Sequence, residues 1–234
     1  MSAIADAFTW LNDPANWTGD KGVPYLTGEH LAISGAAVGA ACLVSWPVAI
    51  WLGHVGRGGW LTGVLSTLSR AVPTLALLTL FAATPIGFGN RATAVALAVF
   101  AIPPLLTNAY VGIREVDRDV VEAARGMGLS PLQVLARVEV PLALPLVAAG
   151  FRTAAVQVVA TASLAALVGG GGLGVIVVEG FGLQRPGQIV AGAVLIALLA
   201  LLTELVLGWL QRSVTPGRQS SRRIGRRLLR RRPA

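Results

Sequence analysis

Residues 122–141 read EAARGMGLSPLQVLARVEVP, a polar and charged interruption in a chain that is otherwise almost continuously apolar. The stretch holds a complete helix–break–helix grammar. Val116, Val120, Ala124 and Met127 recur at four-, four- and three-residue spacing, which predicts one apolar face on a first short helix. Gly128 stands where a helix ending at Met127 needs a left-handed residue. Ser130 is placed to cap a second helix, Pro131 fits its first position, and Gln133 completes a capping box. Leu132, Leu135 and Val138 supply the apolar stripe of that second helix, and Pro141 opens the next long apolar segment. The expected product is a compact two-helix elbow between membrane segments, shaped to enter another protein's groove. On spacing alone, a helix pair lying flat on a membrane fits as well.

The rest of the chain supplies the membrane. Of its 234 residues 54% are hydrophobic and 13% charged, against about 25% charged in soluble domains. Five stretches are long and apolar enough to cross a bilayer: 31–52, 60–82, 92–111, 141–168 and 187–210. They divide the chain into a polar segment 1–28, a membrane domain 29–211 containing the connecting loop 112–140, and a basic tail 212–234. Segment 1–28 has neither a basic start nor a small-residue cleavage site, so a cleaved signal peptide is not expected. Pro47 kinks the first span and Pro103-Pro104 break the third. Cys42, the one cysteine, is expected to pack against a neighbouring helix.

Polar residues inside the spans are the candidates for function. Arg70 recurs with Thr62, Ser66, Ser69, Pro73 and Thr74 at helical spacing, which turns that face away from lipid. It is either paired inside the bundle or exposed to a pathway. Asn108 closes the third span. Arg152 and Gln157 lie in the fourth, the first expected to snorkel towards the elbow and the second to bond a neighbouring helix. Glu204 in the fifth is expected to pair with another residue. Gly169, Gly171 and Gly174 match G-x-G-x-x-G, but an apolar span rather than a strand precedes them. Flexible backbone or close packing replaces the dinucleotide reading, and Glu179 and Arg185 fall in the same loop region. Scattered histidines and one cysteine form no metal constellation, and no paired acids or activated nucleophile point to an enzyme.

The net charge of +8 belongs to the tail, where residues 212–234 carry nine arginines and no acid. With the elbow inside, fourteen basic residues (Arg57, four arginines of 112–140, nine of the tail) face the cytoplasm and three (Lys21, Arg91, Arg185) face outward. That asymmetry predicts the N-terminus outside and the C-terminus inside. A polybasic segment beside a span points to anionic lipid; it lacks the stacking aromatics of single-strand nucleic-acid binders.

Glu122-Ala123-Ala124, three residues, Gly128, nine residues, then Val138-x-Val140-Pro141 resembles the EAA coupling loop of ABC importer permeases, although that family more often has Ile and Leu where the two valines stand. The resemblance extends over about residues 60–205, through SRAVPTLALL at 69–78, IPPLLTNAYVGIREVD at 102–117, VPLALPLVAAGFRTAAVQ at 140–157 and LVGGGGLG at 167–174. It is similar to the glycine betaine, carnitine and choline osmoprotectant branch. Arg70 stands where that branch would have Gln. Methionine-type importers share the five-span plan, and a methionine or other amino-acid importer is the alternative. A membrane anchor for the polybasic tail is a reading of a different class.

The resemblance implies an all-α, type I permease of about five transmembrane helices in a bacterial plasma (inner) membrane. It implies ABC ATPase subunits that hydrolyse ATP with Mg, an extracytoplasmic solute-binding protein, and a homodimer or a sister permease. No cofactor belongs to this chain: it has no phosphate-binding loop, and its one lysine, Lys21, is in an unsuitable context. The implied ATPase-coupling residues are Glu122, Ala123, Ala124, Gly126, Met127, Gly128, Ser130 and Pro141. Candidates for the pathway or gate are Arg70, Pro73, Asn108, Gln157, Gly171, Gly172 and Gly174.

Overall fold

The computed structural model describes residues 2–60, 62–64, 67 and 72–214. Among these the chain is helical nearly throughout. Ser2 caps α1 (Ala3–Asn12) by accepting from the Ala5 amide. Asp13 then caps a 3-10 turn, Pro14–Trp17. The polar segment 1–28 therefore holds a helix and a turn, and the first span starts inside it. That span is α2 (Val23–Val55), longer at both ends than the predicted 31–52, and it closes on Gly56 in the left-handed region. α2 runs unbroken through Pro47.

The second predicted span, 60–82, includes residues outside the described set. Its described end is α3 (Thr74–Ala82). α4 (Asn90–Arg114) does not break at Pro103-Pro104. It lies between α2 and α7, its most extensive neighbours. That packing holds the helix line where two backbone donors are missing. The elbow is α5 (Arg118–Gly126) and α6 (Pro131–Val134).

Helical backbone then continues without a break through a π-turn, Leu135–Glu139, into α7 (Val140–Thr161). Pro141 therefore does not open a new segment. It has no N–H to give, and the π-turn in front of it carries the wider Val140 N–H to Leu135 carbonyl bond. The fourth predicted span finishes as a 3-10 helix, Ala162–Val168, closed by Gly169 at φ 72°. The region 174–182, expected as loop, is the helix α8 (Gly174–Gly182), and α9 (Pro186–Val214) completes the described chain.

Four of these helical runs have the length and hydropathy to cross a membrane among the described residues: Val23–Val55, Asn90–Arg114, Pro131–Val168 and Pro186–Ser213. The first three are joined by small side chains, with Leu207 of the fourth packed against them. Ala37, Ala41 and Cys42 of α2 meet Leu97 and Ala101 of α4 and Ala154, Ala155 and Val158 of α7. Alanine at such contacts lets backbones approach closely, which is how helices gain packing energy when lipid offers no hydrophobic drive. Cys42 is buried in this cluster, as its apolar context predicts.

The bundle has two distinct ends. The elbow, the C-termini of α2 and α4 and the start of α7 share one. The glycine-rich turn, the N-termini of α2 and α4, and α8 share the other. The chain is at the elbow end at Gly59, beside the Tyr110 hydroxyl, and at the glycine end by Ala82, which packs with Ala92 and Val168.

Candidate functional site

The elbow is built by local rules. Asp117 Oδ1 accepts from the Asp119 amide at 2.9 Å and starts α5. At its other end Gly128 takes φ +85°, its N–H reaching the Arg125 carbonyl at 2.9 Å and the Leu129 N–H reaching the Ala124 carbonyl at 3.3 Å. This pair of bonds is a Schellman ending, which favours glycine at the left-handed position. Ser130 and Gln133 form the predicted capping box: the Ser130 N–H donates to Gln133 Oε1 at 2.9 Å and the Gln133 N–H to Ser130 Oγ at 3.4 Å.

The elbow has its own small core of Val116, Val121, Ala124 and Val134, with Leu129 and Val138 against it. Two expectations about its faces are corrected here. Val121, not Val120, fills the first helix's buried position, and Met127 is 74% exposed. The second helix buries Val134 and Leu135, and Leu132 is 70% exposed. The reason is that α5 starts only at Arg118. Val116 lies before it and does not set its helical phase.

The coupling candidates consequently divide. Ala124 is core, whereas Glu122, Ala123, Gly126, Met127, Gly128 and Ser130 are exposed. Met127 and Leu132 flank the Gly128 turn as two large apolar side chains on a charged knob that carries Arg118, Asp119, Glu122 and Arg125. Pro141 is exposed but lies beyond the knob, just past the π-turn.

The pathway candidates do not gather at one place. Arg70, with Ser66 and Ser69, lies outside the described residues. Pro73 is exposed ahead of α3. Asn108 is half-buried on α4, donating to the Pro104 carbonyl at 2.8 Å, and its Cβ packs against Gly150 of α7. Gln157 is exposed and, among the described residues, its side chain makes none of the interhelical bonds expected of it. Asn108 lies eighteen residues along α4 from Asn90, about 27 Å at a helical rise. Asn90 is where α4 meets the glycine turn, at Gly171; Gly172 lies against α2 and Gly174 against Ser163.

At that end three elements are clasped. The Glu29 carboxylate accepts from the Asn90 side chain at 2.7 Å and from the Gly172 N–H at 2.9 Å, and Asn90 Oδ1 accepts from the Gly171 N–H at 2.7 Å. His30, fully buried, places Nε2 2.8 Å from the Val159 carbonyl and receives the Leu173 N–H on Nδ1 at 3.3 Å. A carbonyl can only accept and an amide N–H only donates, so the ring is the Nε2–H tautomer. Gly172 needs its glycine twice over: φ is +85°, and a Cβ would sit 3.1 Å from His30 Nδ1. Of the motif's own glycines, a Cβ at Gly171 would collide with the Glu29 carboxylate and one at Gly174 with the Ser163 carbonyl, so both serve close packing.

Two further pairs hold the bundle. Arg152 of α7 is paired with Glu204 of α9, and its Nη1 donates to Gln211 at 3.1 Å. Glu204 has the partner expected of it. Arg152 reaches across to α9 instead of merely snorkelling. At the elbow end His54 Nδ1 meets Glu139 Oε2 at 2.5 Å. Neither that pair nor the Glu29–His30–Asn90 clasp is predicted by local sequence. The one available signal was chemical: Glu139 is an acid between aliphatic residues, and His30 and His54 are the chain's two histidines.

Comparison with known proteins agrees with this architecture. The family described as binding-protein-dependent transport system inner membrane component matches residues 45–218. The chain is 35% identical over 192 residues to the glycine betaine/carnitine/choline transport system permease protein OpuCB of Bacillus subtilis (strain 168), covering 82% of this chain and 88% of that one. It is 36% identical over 193 residues to the choline transport system permease protein OpuBB of the same organism, with the same coverage. It is 38% identical over 191 residues to the carnitine transport permease protein OpuCB of Listeria monocytogenes, covering 81% and 87%. A solved inward-facing conformation of the MetNI methionine ABC transporter superposes with a TM-score of 0.68 at 24% identity, covering 81% of this chain and 94% of that chain. At that identity the likeness carries the type I permease fold and not the substrate. A chain matched over most of its length by one family, and by these relatives, is a multi-pass membrane component of a transport system and not an enzyme: it belongs to the binding-protein-dependent transport system inner membrane component family.

Proposed function

We propose that this chain is the permease subunit of an ATP-driven, binding-protein-dependent importer of quaternary ammonium osmoprotectants such as glycine betaine, choline and carnitine. The observation that carries the reading is the elbow: a capped, separately cored knob at one end of a membrane bundle, presenting Met127 and Leu132 among charges. A knob of that build suits a socket on an ATPase subunit, where pushing it rocks the helices behind it. The residues proposed to meet the ATPase are Glu122, Ala123, Gly126, Met127, Gly128 and Ser130, with Ala124 holding the knob together from inside. ATP and Mg belong to that ATPase. The substrate class comes from the names of the relatives above. The methionine alternative has only a shared fold behind it.

An extracytoplasmic solute-binding protein, together with a second copy or a sister permease, completes the assembly in this reading. The elbow end faces the cytoplasm, where fourteen basic residues gather, and the tail sits against anionic lipid. Co-purification with the ATPase and binding protein, then uptake of radiolabelled glycine betaine, choline, carnitine and methionine into proteoliposomes, tests both levels. ATP-dependent uptake of one of the first three is expected. Uptake of methionine alone overturns the substrate class. Absence of an ATPase partner overturns the importer. Truncation after Gln211 separates this reading from a basic-tailed anchor, because a permease retains transport without the tail.

A further inference from the structure

We propose that the His54–Glu139 pair, its acid buried and its imidazole largely so, is the joint that passes movement of the elbow to α2, making both of them positioning residues for transport. The inference rests on the importer reading and adds where its motion enters the bundle. His54 is the second-last residue of α2, and Glu139 is the last residue of the π-turn. Their side chains are 11% and 3% exposed, and the Nδ1–H of His54 donates to Glu139 Oε2 at 2.5 Å. Eighty-five residues of chain separate them, so the bond joins two elements that local structure does not tie.

Three features make this contact different from the packing around it. The first is its position. α5 packs chiefly on α6 and the π-turn, so besides the short link 115–117 to α4 a displacement of the knob reaches the bundle through Leu135–Glu139. The second is compliance. The π-turn is where the helix from Pro131 to Thr161 leaves the α pattern, and Pro141 and Pro145 just beyond it lack backbone donors. Such a segment bends more readily than regular α-helix. The third is direction. The cluster that Ile50, Ile113, Leu135, Val140, Ala143 and Val147 form between the same elements is apolar and non-directional, so it tolerates sliding. A buried charge-assisted hydrogen bond does not, because slippage leaves a carboxylate without a partner in an apolar site. α2 is meanwhile held to α4 at Gly53, where even a Cβ would lie 2.8 Å from Ile113 Cβ. Glu139 therefore pulls on a helix end that is itself seated against α4.

The test replaces both partners, so that neither is left buried alone. In the reconstituted complex, His54→Leu with Glu139→Leu is expected to insert, retain the ATPase and hydrolyse ATP, but to lose about tenfold in solute taken up per ATP. Glu139→Gln, whose carbonyl still accepts from Nδ1–H but which brings no charge, is expected to fall between wild type and the double leucine variant, whereas a merely space-filling role predicts full coupling for this isostere. A wild-type uptake ratio in the double leucine variant overturns the proposal. Hydrogen–deuterium exchange of the wild-type complex provides a reading that needs no variant to fold. ATP addition should alter exchange at 135–139 and at 52–56 together, and a change confined to the elbow overturns the joint. Failure of the wild-type complex to import any of the four solutes instead strikes at the importer reading beneath it.

Discussion

His30→Ala removes a side chain with no solvent exposure that satisfies two backbone groups at once. The Leu173 N–H loses its acceptor. The Val159 carbonyl, close to where α7 passes into 3-10 geometry, loses its donor. Each orphaned buried group costs about 1–3 kcal/mol, so the two together cost roughly 2–6 kcal/mol before any cavity term. For a chain of this size, each kcal/mol moves the midpoint by roughly 2–4 °C on soluble-domain scaling. The expected drop is therefore roughly 4–24 °C. Cys42 supplies the assay. It is the chain's one cysteine, buried in the central cluster, and a thiol-reactive dye reports its exposure as detergent-solubilised protein is heated. His30→Gln, which offers both a donor and an acceptor, should recover part of the loss. Melting of His30→Ala within about a degree of wild type would show that the clasp contributes no stability and refute the two-bond argument.

Four other outcomes are expected. Glu122→Lys reverses an exposed charge on the elbow and should reduce ATPase co-purification while leaving membrane insertion intact, read by pull-down from solubilised membranes. Gly128→Asp forces a side chain at φ +85° and should cost about 1–2 kcal/mol in the elbow, seen as faster amide exchange of Ala124–Leu129 and lost coupling of ATP hydrolysis to uptake. Gly150→Ala places a Cβ 2.5 Å from Asn108 Cβ, backed by the Pro104 carbonyl, and should lower the melting midpoint by several degrees. Glu204→Ala should cut the yield of inserted protein several-fold by leaving Arg152 without its carboxylate. Arg152→Ala added to it should restore that yield, because the double variant has no unpaired charge.

What could be read from the chain alone was whatever depends on neighbours in sequence. Ser130, Pro131 and Gln133 act within four residues, and Gly128 within its own turn, so the elbow's caps are as the residues dictate. The elbow's buried faces were misread because helical phase depends on where α5 starts, and Asp117, not the apolar spacing, sets that. The prolines at 103 and 104 looked like a break because their local cost is real. What outweighs it is burial between α2 and α7, which single-sequence periodicity does not contain. The π-turn is likewise a compromise between Pro141 and continuous helix, visible only once the helix is known to continue.

The least legible contacts are the ones that fix the bundle, and they have one helix in common. Glu29 and His30 near the start of α2 bind the glycine turn and α7; His54 near its end binds the π-turn that leads into the same α7. The α2 backbone between them is continuous through Pro47. The twenty-four residues from His30 to His54 span about 36 Å at helical rise, enough to cross a hydrocarbon core. A strut tied by directional polar bonds at both ends cannot tilt at one end alone. Either the far bond opens or the element on it moves as well. Asn90 is exposed and Glu29 half-buried, so water can reach the bonds they lose, whereas the side chains of His54 and Glu139 are more closely shielded. The cheapest bonds to break are therefore those of Glu29 and Asn90 at the glycine end, and not those of the fully buried His30. Tilting α2 from the elbow should loosen the Glu29–Gly172 contact before it separates His54 from Glu139.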